Sequence, residues 1–120
     1  MEKLLAEFKD IIANYHIEEQ IPDYPKYVIR TRIYLKDMSQ LAAKDILIYL
    51  SKHSVKRKYA YQWMDEDNQL IIRWDNEPHH KHISTFPYHK HVGTDENVTA
   101  EPEVTLTEVL GHIRKCIRQQ

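Results

Sequence analysis

The run Lys58-Tyr59-Ala60-Tyr61-Gln62-Trp63-Met64, followed by Asp65-Glu66-Asp67-Asn68 and then Gln69-Leu70-Ile71-Ile72-Arg73-Trp74-Asp75, decides the fold. Tyr59, Tyr61 and Trp63 alternate with Lys58, Ala60, Gln62 and Met64. Leu70, Ile72 and Trp74 alternate with Ile71, Arg73 and Asp75. Side chains alternate across a strand, so each run is a strand with two unlike faces. A four-residue acidic turn between them makes an antiparallel hairpin whose aromatic rings can pair across the ladder. Those rings read as packing before they read as a platform for bases.

Working outward, Tyr27 to Leu35 alternates in the same way, with Arg30 and Arg32 on its outer face. Lys36 to Ser39 reads as a turn, and Pro22 and Pro25 mark an irregular connection. Residues 41–49 fit either period. Leu4, Leu5, Phe8, Ile11, Ile12 and Tyr15 recur at spacings of three and four, which predicts a helix over residues 2–15. Its apolar stripe suits the cover of a sheet or a docking surface for another chain, a second copy in a homodimer included. Thr105 with Glu108 three residues on is a capping box that opens a helix over about 106–117. Residues 93–102 read as a polar linker. The expectation is one α+β domain over residues 1–120, an antiparallel sheet of four to five strands with a helix at each end of the chain.

Composition narrows the function classes. A hydrophobic share of 42% and a charged share of 29% are those of a folded globular chain. The formal net charge of −1 excludes a protein that attracts nucleic acid as a whole, so any such binding must come from a local basic face. Cys116 is the only cysteine and cannot form an internal disulfide; its place in a helical apolar pattern makes it a small core residue. No apolar stretch approaches a membrane span, and the N-terminal residues do not form a signal peptide, so a cytoplasmic protein is expected.

Chemistry concentrates after the hairpin. Five of the eight histidines, His79, His80, His82, His89 and His91, lie within thirteen residues, beside Arg73, Asp75, Asn76, Lys81 and Lys90. Histidine is the side chain whose ordinary pKa sits near neutrality, so proton transfer and metal ligation both become available there. Pro78 takes the chain out of the sheet, and Pro87 keeps residues 85–91 extended, with His89 and His91 on one face and Tyr88 and Lys90 on the other.

Three linked runs carry a family resemblance: Lys58 to Trp63; Leu70 to His80, which contains Arg73-Trp74-Asp75-Asn76-Glu77-Pro78-His79-His80; and Thr85-Phe86-Pro87-Tyr88-His89-Lys90-His91-Val92. Together they resemble the TumE-like toxins of prokaryotic type II toxin–antitoxin modules. The chain departs from that pattern at Glu77, where the family has a small residue, and at Tyr88, where it has a histidine. The resemblance implies a toxin encoded beside an antitoxin, one with a helix-turn-helix.

Three mechanisms fit these residues. In the first, the toxin cleaves RNA without a metal or cofactor: His89 and His91, with His79 as a further candidate, exchange protons with the 2′- and 5′-oxygens. Arg73 then stabilises the phosphate, Asp75 orients an imidazole, and Asn76, His80, Lys81 and Lys90 contact substrate. In the second, His79, His80, His82, His89 and His91 ligate a metal ion such as zinc. In the third, Tyr59, Tyr61 and Trp63 with Arg30, Arg32, Arg57 and Lys58 make a non-catalytic binding surface. A structural reading stands beside all three: a hydrogen-bonded latch that ties residues 76–91 to the sheet.

Overall fold

The computed structural model describes residues 1–119, apart from the side chains of residues 19–22. Seven strands follow one another as an antiparallel meander: β1 (Ile12–Asp23), β2 (Lys26–Leu35), β3 (Gln40–Ser51), β4 (Ser54–Met64), β5 (Leu70–Asp75), β6 (His89–Val92) and β7 (Val98–Ala100). A short helix α1 (Glu2–Ala6) precedes them and α2 (Leu106–Arg118) follows. The expected α+β class and the two helices hold, but the sheet is larger than four to five strands. The ambiguous stretch 41–49 is strand, and the supposed linker after Gly93 contains β7.

The hairpin forms as the alternation requires, with Tyr61 opposite Trp74 and Trp63 opposite Ile72. The Asp65 carboxylate accepts from the backbone N–H groups of Asp67 and Gln69 and so closes the acidic turn. Asn68 adopts φ +63°, a left-handed value that asparagine tolerates.

The N-terminal helix is much shorter than its apolar pattern suggested. After Ala6 the backbone closes i→i−3 bonds, Phe8 to Leu5 and Ile11 to Phe8, and β1 begins at Ile12. Leu5, Phe8 and Ile11 are spaced by three, a period that tight turns satisfy as well as a helix does. All three are buried, whereas Tyr15 is exposed on β1. The connection expected around Pro22 and Pro25 narrows to the tight turn between β1 and β2.

Helix α2 starts at the predicted capping box: Thr105 accepts from the Glu108 N–H, and Glu108 accepts from the Thr105 N–H. Leu106, Val109, Leu110 and Ile113 form its buried stripe and share one core with Ile33, Leu41, Tyr61, Trp63 and Trp74 from the sheet and with Leu5, Phe8 and Ile11. Burying side chains of this size contributes about 1.5–3 kcal/mol each. Cys116 packs against the same core. Arg114 and Arg118 both reach Asp10, at 2.6 and 3.1 Å, and tie the end of α2 to the N-terminal turns. The Arg114 hydrogen bond leads the causes that hold the Asp10 carboxyl below the usual carboxylate range. Among the described residues no helix is long and apolar enough to cross a membrane.

One face of the sheet is therefore sealed by apolar packing. The other is open, and the candidate site lies on it.

Candidate functional site

Sheet register places the key side chains. Asp75 stands opposite His89 and Arg73 opposite His91 across β5 and β6; on the other side, Asp75 faces Ala60 and Arg73 faces Gln62 on β4. Because side chains alternate, these six residues share the open face, while Trp74 and Lys90 point to the other one.

Asp75, His89 and His91 form one buried unit, 2%, 2% and 8% exposed. His89 Nε2 lies 3.0 Å from Asp75 Oδ1, His91 Nε2 lies 3.3 Å from Asp75 Oδ2, and the two Nε2 atoms are 3.2 Å apart. Each remaining ring nitrogen meets a backbone carbonyl: His89 Nδ1 at 2.9 Å from Pro87 O, and His91 Nδ1 at 2.8 Å from Asp95 O. A carbonyl can only accept, so both Nδ1 atoms carry the hydrogen and donate it. In the neutral rings each Nε2 is then a bare lone pair. Two lone pairs and a carboxylate converging within 3.3 Å make an arrangement that demands a cation, either a proton on an imidazole or a metal ion.

Further groups fix the carboxylate. The Arg73 Nε donates to Asp75 Oδ2 at 3.1 Å, and the Glu77 N–H donates to Oδ1 at 3.0 Å. Arg73 also donates to Gln62 Oε1 at 2.9 Å, so its guanidinium is oriented from two sides. Over the unit stands His80, its ring centroid 4.8 Å from that of His89 and 5.6 Å from that of His91. Desolvation first, then the neighbouring His89, His91 and His82, hold the His80 pKa below the ordinary histidine value. One imidazole nitrogen from each of His80, His89 and His91 lies within 4.8 Å of the other two. An open cleft of about 290 Å³ is lined by these rings with Arg73, Asp75, Gln62 and His79.

The other expected site residues lie outside the buried unit. His79 is at the rim, exposed, 3.8 Å from Glu77. Lys81 is exposed in the following turn and does not line the cleft. Lys90 pairs with Glu101 at 3.5 Å on the covered side. Asn76 is structural: its side chain accepts from the Tyr59 N–H and donates to the Arg57 carbonyl, extending the β4–β5 ladder past Asp75. The segment before β6 is not extended, since turns run through Pro87 and the strand begins at His89.

The stacking platform does not exist. Tyr59, Tyr61 and Trp63 are buried, and Arg57 is engaged with Asp45, Tyr61 and the Val104 carbonyl on the covered face. Sequence reasoning missed Gln62 and the carbonyls of Pro87 and Asp95. Parity along the hairpin locates Gln62 beside Arg73, but backbone carbonyls leave no mark in a sequence.

No curated protein and no solved structure matches this chain. The family model described as Toxin TumE matches residues 1–119, and the implied role is that of a toxin in a toxin–antitoxin module, with a cognate antitoxin as partner. With that match over essentially its whole length, and with the histidine runs placed in one cleft, the chain belongs to the TumE toxin family.

Proposed function

We propose that this toxin cleaves RNA at the histidine cleft without a metal ion, by proton transfer to and from one phosphodiester. The observation that carries the reading is the convergence of Asp75, His89 and His91 beneath His80, with Arg73 at its edge. Because the His89 and His91 Nε2 atoms are only 3.2 Å apart, no phosphoryl group passes between them, and they do not divide the roles of base and acid. They act as one unit that holds a proton against Asp75 and presents it through His91, the more exposed ring. His80, whose pKa desolvation and the neighbouring imidazoles hold below the ordinary histidine value, takes the proton from the 2′-hydroxyl. Its ring is 5.6 Å from that of His91, close enough for the two to serve neighbouring oxygens of one phosphodiester. Arg73 neutralises charge on the phosphate.

A second reading has its own observation. Three imidazole nitrogens within 4.8 Å of one another, two of them on rings that are backed by carbonyls and lie beside the Asp75 carboxylate, match the way proteins orient metal ligands. In that case His80, His89, His91 and Asp75 hold a divalent ion that activates water.

One assay separates the two. Purified chain is incubated with RNA at pH 7 in excess EDTA. Cleavage leaving 2′,3′-cyclic phosphate ends is the expected result. Cleavage that stops in EDTA and returns with zinc or manganese overturns the metal-independent mechanism in favour of the second reading. RNA left intact under every condition removes both.

A further inference from the structure

Beside the histidine cleft, on the same open face, lies a second hollow of about 200 Å³. Gln62 and Arg73 line both, so the two adjoin, with the hydrogen-bonded Arg73–Gln62 pair at their shared edge. Sheet register makes it a trough across strands. One row runs Arg32, Ala42, Gln62, Arg73, His91, and the next runs Arg30, Lys44, Ala60, Asp75, His89. Ala42 and Ala60 sit on adjoining strands in the middle of these rows, and their short side chains leave the floor open. Arg30, Arg32 and Lys44 rise beyond them as the far wall.

The charge of this trough departs from that of the whole protein. Among the described residues its lining carries four cationic side chains, Arg30, Arg32, Lys44 and Arg73, whereas the chain as a whole is at −1. Against them stand the carboxylate of Glu18, which pairs with Arg32, and that of Asp75, which pairs with Arg73 from the adjoining cleft. Glu18 and Gln40 hold the Arg32 guanidinium in place, at 3.2 and 3.1 Å. Among the described residues none of the lining side chains is aromatic. A cationic trough without rings grips a phosphate backbone and leaves the bases unread. From Arg73 to Arg32 is three strand spacings, roughly 14 Å, enough for a run of nucleotides to lie across the sheet.

We infer that this trough binds the phosphates of a single-stranded RNA beyond the bond held in the cleft, making the toxin's affinity dependent on chain length and salt but not on base sequence. The inference rests on the proposed action on RNA. It adds a binding track formed by Arg30, Arg32 and Lys44, none of which takes part in proton transfer.

The test uses the full chain with a fluorescein-labelled eight-nucleotide RNA. Binding is followed by anisotropy across a salt series, and cleavage is followed separately on the dinucleotide UpU, which reaches only the cleft. K44E and R30E should each weaken octanucleotide binding about tenfold and reduce the slope of log K against log salt by roughly 0.7 or more, the value for one single-strand phosphate contact. Their cleavage of the dinucleotide should stay within about twofold of wild type. A K44Q variant, which removes the charge without reversing it, should show the same slope change in a milder form, and circular dichroism confirms that each variant is folded. Octanucleotide binding and slope unchanged in all three variants would overturn the track even if the protein cleaves RNA. Conversely, a wild type that never cleaves but binds the octanucleotide in a Lys44-dependent way would sink the ribonuclease reading and leave the track standing. Binding of a polyglutamate peptide that depends on Lys44, with no binding of RNA, would assign the trough to an acidic protein segment and overturn the inference.

Discussion

Trp74 and Asp75 are adjacent in β5, yet the indole is sealed beneath α2 while the carboxylate turns to the histidine cleft. The same split divides Lys90 from His89 and His91. On the covered face, rings and aliphatic chains exclude water and supply most of the stability. On the open face, charged and titratable groups are held at hydrogen-bond distance. A meander sheet can separate the two tasks this cleanly because alternation sends successive residues to opposite sides. Substitutions should therefore sort by parity rather than by proximity in sequence.

The largest expected effect is on the covered face. Leu110 is fully buried at the centre of the α2 stripe, so Leu110→Ala should cost about 3 kcal/mol, read from the urea midpoint at unchanged slope. A loss well under about 1 kcal/mol would mean that α2 is not the main cover of the sheet.

A smaller effect concerns ionisation beneath that cover. Burial is the main cause that pushes the Tyr59 hydroxyl up to about 12. In the unfolded chain it ionises near 10, so the proton is released more readily on unfolding. The contribution of Tyr59 is complete below pH 10 and is lost as pH rises from about 10 to 12. Comparing wild type with Tyr59→Phe at pH 8 and pH 11.5, the stability gap should move by about 2 kcal/mol in favour of the variant at the higher pH. An equal gap at both values would show that the hydroxyl is not shielded as the packing implies.

The smallest concerns a hydroxyl on the wrong side. Thr31 is 2% exposed on the covered face, and its Oγ1 has no hydrogen-bond partner. Thr31→Val keeps the shape and removes the unpaired oxygen, so it should stabilise the protein by about 1 kcal/mol in thermal or urea unfolding. Destabilisation would mean that the hydroxyl is satisfied after all.

Much of this was legible in the residues. The hairpin was, because two alternating runs meet at a turn too polar to bury. So was α2, because the Thr105–Glu108 box fixes its first residue. The sharing of one face by His89 and His91 followed from parity alone. Other parts were hidden for identifiable reasons. Leu5, Phe8 and Ile11 have a spacing common to helices and tight turns, so the pattern makes α1 about two and a half turns too long. Ala42, Ala43, Lys44 and Asp45 have weak strand preference, and β3 forms because β2 and β4 flank it. The three-residue β7 is too short to show a period. His80 comes to lie over His89 only through the turns of residues 77–88, which a linear pattern does not encode. Lys90 stands next to the histidines in sequence, but its parity places it on the other face, where it pairs with Glu101.

The central claim is that the open face carries the toxin's action and the covered face its stability. His80 tests it most directly, since it stands at the mouth of the cleft without belonging to the core. Growth of cells expressing His80→Ala should be followed alongside the melting temperature of the same purified variant. The account predicts that growth arrest is lost while the melting temperature stays within about 2 °C of wild type. Growth arrest kept at full strength by a folded His80→Ala protein would contradict it.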